Sequence, residues 1–294
     1  SEDRRAEIER ALIELAACLP VYRIYTGHGG EGPSEPDRRY METAKRRVIE
    51  GNEDTDADLI ESIVSVLLEP GDKPDAREFA SRFQQFTAPV TAKGVEDTAF
   101  YRYNRFVALN EVGGDPGRFG MGIEEFHRRT AERRRRWPGE MFTTSTHDTK
   151  RSEDIRARLS VLSEIPERWA SWTRAWMQCC MRLGSNAVNP HDLYLLAQSL
   201  VGAWPISRER IDAYMIKALR EAKVRTSWRE TNEAYESSVS ALINKVYGDT
   251  SARALIEEIV SDVLVPGRMK SVSQSVLRLA CPGVADTYRG CELW

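Results

Sequence analysis

Met141-Phe142-Thr143-Thr144-Ser145-Thr146-His147-Asp148-Thr149-Lys150-Arg151-Ser152-Glu153-Asp154-Ile155-Arg156-Ala157-Arg158 is the stretch whose reading decides the fold. Its first part is short, hydroxyl-rich and carries β-branched threonines after a Trp137-Pro138-Gly139 turn, the pattern of a buried strand. At Ser152 the pattern changes. A serine ahead of Glu153 and Asp154 predicts a helix N-cap, with negative charge on the first turn facing the positive end of the helix dipole. Ile155, Leu159 and Leu162 then fall at helical spacing. His147 and Asp148 therefore stand where a strand ends and a helix is about to begin, the end at which βα-barrels and open α/β sheets build their sites.

An aspartate at such a turn more often satisfies backbone N–H groups than performs chemistry, and His-Asp is a common pair. Density argues for more. Seven consecutive polar residues run from Thr143 to Thr149, and five charges follow between Lys150 and Arg156, too many for one cap.

The 294 residues suffice for a substantial core, and 41% hydrophobic with 30% charged residues describes a soluble globular protein. A formal net charge of −3 supplies no general attraction to nucleic acid or to an anionic membrane, so neither is expected as a partner. No apolar run approaches a membrane span, and the N-terminus, opening at Ser1 without an initiator Met, has no signal-peptide pattern. The five cysteines are an odd set, adjacent at Cys179 and Cys180 and scattered at Cys18, Cys281 and Cys291, which fits reduced thiols in a cytoplasmic protein. His28, His127, His147 and His191 lack metal-ligand spacing; no metal and no cofactor are expected.

Along the chain, Ile8 to Leu19 reads as an amphipathic helix, and Val21-Tyr22-Arg23-Ile24-Tyr25 alternates as a strand does. Thr26 to Pro36 is rich in Gly, Glu and Pro and lacks the Lys-Ser or Lys-Thr of a phosphate loop; it reads as a surface connection. Helices are predicted over Asp37–Val48, Asp56–Leu68 and Asp75–Phe86, the last punctuated by Pro89. Lys93-Gly94-Val95-Glu96-Asp97 then packs three charges around a glycine ahead of Phe100-Tyr101-Arg102-Tyr103. Taken alone it reads as a loop and helix start, although a sugar site also needs flat aromatic faces beside charged hydrogen-bonding groups. The basic run Arg128 to Arg136 is diluted by Glu124, Glu125 and Glu132 and reads as a solvated face. Trp169, Trp172 and Trp176 form a helical stripe, more often core than sugar platform. Further helices are expected over 192–200, 207–224, 232–246, 252–263 and 272–279, with a closing strand and loop from Leu279 to Glu292.

Four stretches together resemble one family. Thr146-His147-Asp148-Thr149-Lys150-Arg151-Ser152-Glu153-Asp154 is similar to the fourth signature region of the α-amylase clan (glycoside hydrolase family 13) in the form used by maltooligosyltrehalose synthases. Agreeing with it, in the family's order, are Ala92-Lys93-Gly94-Val95-Glu96-Asp97-Thr98 with its aromatic run, and Lys217-Ala218 with Arg220-Glu221-Ala222-Lys223 and Thr226-Ser227-Trp228. The fourth is Pro282-Gly283-Val284 with Asp286, Tyr288, Gly290, Glu292 and Trp294. Ala285, Arg289 and Cys291 depart from the pattern, which usually has proline, glutamine and a small polar residue there.

The resemblance implies an α/β fold: late strands of a (β/α)8 TIM-type barrel carrying large helical insertions, and so mostly α by content. Residues 1–36 would be a barrel segment, 37–137 a helical insertion, 138–165 a barrel strand with the His147-Asp148 site, 166–270 a second helical insertion, and 271–294 the last barrel helix and strand. It also implies an isomerase of trehalose biosynthesis, moving the reducing-end α-1,4 linkage of a maltooligosaccharide to α,α-1,1 by intramolecular transglucosylation. Asp148 is then the catalytic carboxylate of this segment, and His147, Lys93, Glu96, Asp97, Tyr101, Lys150, Arg151 and Glu292 are substrate-side residues. Retaining chemistry also needs a nucleophile and a general acid, and neither motif of the clan is found here, so the missing N-terminal half is an expected partner and the chain alone is expected to be inactive. Two alternatives stand beside this: an α-glucan hydrolase of the same clan, and a non-catalytic glucan-binding or structural piece.

Overall fold

The structure, a computed structural model, describes residues 2–26, 32–52 and 55–294, so most of the Gly-rich connection, His28 included, lies outside the described residues. The chain forms two compact units, Ser1–Thr98 and Ala99–Trp294. It is mostly helical.

In the first unit the apolar stripes of α1 (Glu2–Cys18), α2 (Glu35–Gly51), α3 (Ala57–Leu68) and α4 (Pro74–Thr91) meet in one core around Leu15, Met41, Ile60, Leu67 and Phe83. Removing side chains of this size from water stabilises by roughly 1.5–3 kcal/mol each. The helix starts are written locally: Ser34 Oγ accepts the Asp37 N–H at 3.3 Å, Asp56 Oδ1 accepts the Leu59 N–H at 3.0 Å, and Pro74 opens α4. Val21–Tyr25 is not a strand. Ile24 and Thr26 do point inward and Tyr25 outward, but the backbone is held by side chains instead of a neighbouring strand. Gln84 accepts the Thr26 N–H at 3.3 Å and donates to Thr26 O at 3.1 Å, while Asp37 accepts the Tyr25 N–H at 3.3 Å. Nor does Pro89 end α4, which runs on to Thr91 and passes into π-helical turns over Ala92–Ala99. A proline within a helix removes one donor, but the backbone pairs again directly after it: the Ala92 N–H reaches both Ala88 O and Pro89 O.

The second unit opens with the single turn α5 (Phe100–Arg102), followed by α6 (Ile123–Arg136), on which no residue is buried and where Arg128 and Arg129 pair with Glu125. Then come β1 (Met141–Phe142), α7 (Glu153–Ser160), α8 (Pro166–Arg182), α9 (Pro190–Ala203), α10 (Arg208–Ala222), α11 (Glu233–Gly248), α12 (Thr250–Ala280) and β2 (Val284–Ala285). Two of the three stripe tryptophans on α8 are core: Trp172 and Trp176 are buried and stacked at 5.7 Å, and their indole N–H groups donate to Leu255 O at 2.7 Å and Leu193 O at 3.1 Å. Helix α7 sits close against α12 because Gly267 offers no side chain; a Cβ there would lie 3.0 Å from Arg158 Cα.

Two expectations change here. The helix over 272–279 is not separate, since α12 is one helix of 31 residues that continues through Pro266 and Gly267. The strand expected across the hydroxyl-rich stretch is only two residues long; it pairs parallel with β2, Met141 opposite Val284 and Phe142 opposite Ala285. Pairing stops at Phe142 because the next residues turn to side chains: Thr144 O accepts from Arg156, Thr144 Oγ1 donates to Glu153, and Thr143 Oγ1 donates to Ser145 O at 2.9 Å. Among the described residues these two short strands form no barrel.

Candidate substrate loop at Thr146–Arg151

Where β1 gives out, the chain makes a tight turn whose own hydroxyls meet its backbone needs. Thr149 Oγ1 accepts the Thr146 N–H at 2.5 Å and donates to Thr146 O at 2.7 Å, and Thr146 Oγ1 accepts the Asp148 N–H at 3.2 Å. The Asp148 carboxylate is thereby relieved of the capping task that an aspartate at a turn usually performs. Its side chain is 61% exposed, and Lys150 Nζ stands 3.6 Å from Oδ1. His147 is exposed beside it.

The C-terminal side of the turn is clamped by a residue far back in the chain. Glu111 accepts the Lys150 N–H at 2.8 Å on one oxygen and the Arg151 N–H at 3.2 Å on the other, and Arg156 Nη1 lies 3.2 Å from the same carboxylate. Glu111 is itself fixed by the turn that follows it. Gly114 donates to Glu111 O at 2.7 Å, and a Cβ on Gly114 would stand 2.8 Å from that oxygen. Below the loop, buried Glu153 and Arg278 face each other at 3.8 Å, and Arg278 Nη1 donates to Thr144 Oγ1 at 3.1 Å and Asp286 O at 3.2 Å, tying α7, α12 and the end of β2 together.

The remaining sequence-derived residues are placed as follows. Arg151 is buried, and its guanidinium donates to Val107 O at 3.1 Å and Tyr214 OH at 2.7 Å, so it acts here as a strut inside the second unit. Tyr101 is buried too, its phenol pushed up to about 12 by burial, and it lines a small cavity of about 210 Å³ with Asn104, His191, Asp192 and Arg225. Glu292 is exposed and accepts the Gly290 N–H at 2.7 Å. In the first unit, Lys93 pairs with Asp97 one turn on, and Glu96, only 3% exposed, accepts from the Tyr22 hydroxyl. Arg220 and Arg225 meet Glu236 at 2.7 Å and Asp192 at 3.6 Å.

No family model matches the chain. Over 224 residues it is 42% identical to a protein of Mycobacterium tuberculosis assigned as a maltooligosyl trehalose synthase, across 74% of this chain and 28% of that one. The maltooligosyltrehalose synthase of Arthrobacter ramosus superposes on it with a TM-score of 0.83 at 37% identity, covering 98% of this chain and 35% of that chain. The chain belongs to the maltooligosyltrehalose synthase family. The hypothetical maltooligosyl trehalose synthase of Sulfolobus tokodaii agrees, with a TM-score of 0.78 at 32% identity over 98% of this chain and 38% of that chain. The chain thus spans well under half the length of these relatives.

Within this synthase-family chain the sequence reading passed over two residues that shape the loop. Glu111 was hidden because its partners are backbone amides 39 and 40 residues away; the one local sign was a lone acid set before Gly113-Gly114. Glu153 was read as a first-turn charge serving the helix dipole, whereas it is buried and bonded to Thr144.

Proposed function

We propose that this chain supplies part of the substrate cleft of a maltooligosaccharide-isomerising synthase, with Asp148 as its catalytic carboxylate. The observation that carries the reading is the exposed Asp148 carboxylate, which the hydroxyls of Thr146 and Thr149 and the Glu111 clamp release from backbone duty. In this reading β1 and β2 are neighbouring late strands of a barrel, the helical blocks are its insertions, with the segment boundaries as expected from the resemblance, and the enzyme is cytoplasmic, where five thiols stay reduced.

The reaction then runs as a retaining transfer. The reducing-end α-1,4 bond breaks as an enzyme carboxylate bonds the anomeric carbon, and the departing glucose takes a proton from a carboxylic acid. In this reading both of those groups come from outside these 294 residues. The glucose stays in the cleft and attacks the anomeric carbon with its own anomeric hydroxyl; the enzyme carboxylate leaves, the hydroxyl proton passes to the carboxylate that had given one up, and the α,α-1,1 end results. Asp148 hydrogen-bonds the sugar hydroxyls more strongly as the ring becomes oxocarbenium-like, which lowers the barrier instead of merely tightening binding. His147 hydrogen-bonds the same sugar, and Lys150 holds the Asp148 charge in place. Lys93, Glu96, Asp97, Tyr101 and Glu292 belong to the substrate side, the first three retaining the glucose and excluding water.

The test places Asp148→Asn in a complete enzyme carrying this segment and follows products from maltoheptaose by chromatography. Loss of the trehalosyl product by at least about 10³-fold, with the fold intact, is expected for a group acting on the transition state. Undiminished turnover would remove Asp148 from the chemistry. Free glucose or maltose as the main wild-type product would assign hydrolysis instead.

A further inference from the structure

A second groove in the Ala99–Trp294 unit has the surface chemistry of a sugar platform. It measures about 440 Å³ and is walled by Tyr103, Phe106, Phe119, Trp169 and Tyr194; no residue of Thr146–Arg151 lines it. A volume in this range suits a small ligand. The walls are set in advance. The Trp169 indole N–H donates to Tyr194 OH at 3.0 Å, that hydroxyl donates to Arg105 O at 3.3 Å, and the Phe106 and Phe119 rings lean together at 6.0 Å. Phe119 is nonetheless 67% exposed, and Tyr103 is exposed beside it. Single exposed aromatics are ordinary, but several converging on one groove mark a binding surface.

The rim is polar in the way a sugar requires. The Arg105 guanidinium and the Tyr103 hydroxyl, both on the groove, have no hydrogen-bond partner among the described residues. A pyranose ring presents apolar C–H faces and a belt of hydroxyls. Rings fixed by their neighbours bind such faces with little loss of side-chain freedom, and a guanidinium offers its fork of donors to adjacent hydroxyls.

We infer that this groove is an auxiliary binding site for an α-glucan chain, Phe119 and Tyr103 stacking on glucosyl rings and Arg105 donating to their hydroxyls. The choice of ligand rests on the maltooligosaccharide reading above; the groove itself rests on its own residues.

The experiment titrates maltoheptaose into the 294-residue chain, into F119A and R105A, and into E257Q as an exposed control outside the groove lining, by calorimetry and by tryptophan fluorescence, with circular dichroism confirming equal folding. Binding weakened at least about 5-fold in both F119A and R105A, and unchanged in E257Q, is the expected result. The two groove variants remove exposed side chains, so one serves if the other fails to fold. Absence of binding by the unaltered chain, or equal binding by all four proteins, would overturn the inference. Equal binding would leave the maltooligosaccharide reading standing, whereas failure of the product test on Asp148 would leave a glucan-binding groove untouched.

Discussion

Glu111 and Lys150 lie 39 residues apart in the chain and are joined by a 2.8 Å hydrogen bond from the Lys150 backbone N–H to the Glu111 carboxylate. With the Arg151 N–H on the other oxygen, this carboxylate does for the loop what a cap does for a helix: it satisfies two donors that have no local acceptor. The catalytic candidate Asp148 is two residues away and takes no part.

Removal of that clamp leaves the Val112, Lys150 and Arg151 amides without this acceptor, while Arg156 keeps Thr144 O. Glu111→Ala is expected to destabilise the chain by about 2 kcal/mol, the cost of stranding partly buried donors. Asp148→Ala, at an exposed side chain, should stay within about 0.5 kcal/mol. Urea unfolding of the two variants compares these directly, and equal losses would deny Glu111 its structural part.

The Glu153–Arg278 pair makes a sharper prediction because both side chains are buried. Arg278→Met leaves a carboxylate without its cation and should cost about 3–5 kcal/mol. Adding Glu153→Gln removes the stranded charge, so the double variant should be more stable than R278M alone. A double variant that simply sums the two losses would show the pair to be uncoupled.

Gly267 sets two effects against each other. Alanine is the better helix former by about 1 kcal/mol. Yet its methyl would press on Arg158 at 3.0 Å from Cα and 3.4 Å from Cβ, and overpacking of this kind costs about 1–3 kcal/mol. Backbone against backbone has little room to yield, so G267A should lower the thermal midpoint. A rise would mean that α7 and α12 can separate freely.

Asp249 predicts a pH dependence. Arg182 binds both its oxygens, at 2.8 and 2.9 Å, and the Ala252 N–H at 2.7 Å adds a helix cap; together they hold the carboxyl down at about 2, below the ordinary 3.8. A folded-state value below the unfolded one stabilises fully above 3.8, and the contribution disappears as pH falls through about 2. Asp249→Asn should therefore be less stable than the parent near neutrality, and the gap should close across that acid window. A gap that persists unchanged below pH 2 would assign the effect to packing.

The helices and their starts were legible because their causes are local. Ser152, Ser207, Asn232 and Asp249 each cap the helix that follows them through a side-chain oxygen, and such bonds depend on neighbours three residues away. The Trp169–Trp176 stripe was legible for the same reason. Val21–Thr26 was not: its alternating burial is real, but whether an extended segment becomes a strand depends on what lies beside it, and here that is Gln84. At the candidate site the sequence marked His147 and Asp148, yet the burial of Arg151 was not legible, since nothing in a sequence says that Val107 and Tyr214 wait behind it.

By itself, then, the order of residues determined the helical segments, the capped start of α7 and the family to which the chain belongs, all carried by short-range spacing. Tertiary structure alone decided that β1 stops at Phe142, that α12 runs unbroken through Pro266, and that Glu111 takes the amides at which Asp148 would otherwise be spent. Each of those outcomes turns on which donor meets which acceptor across tens of residues, a choice made only when the chain has closed on itself.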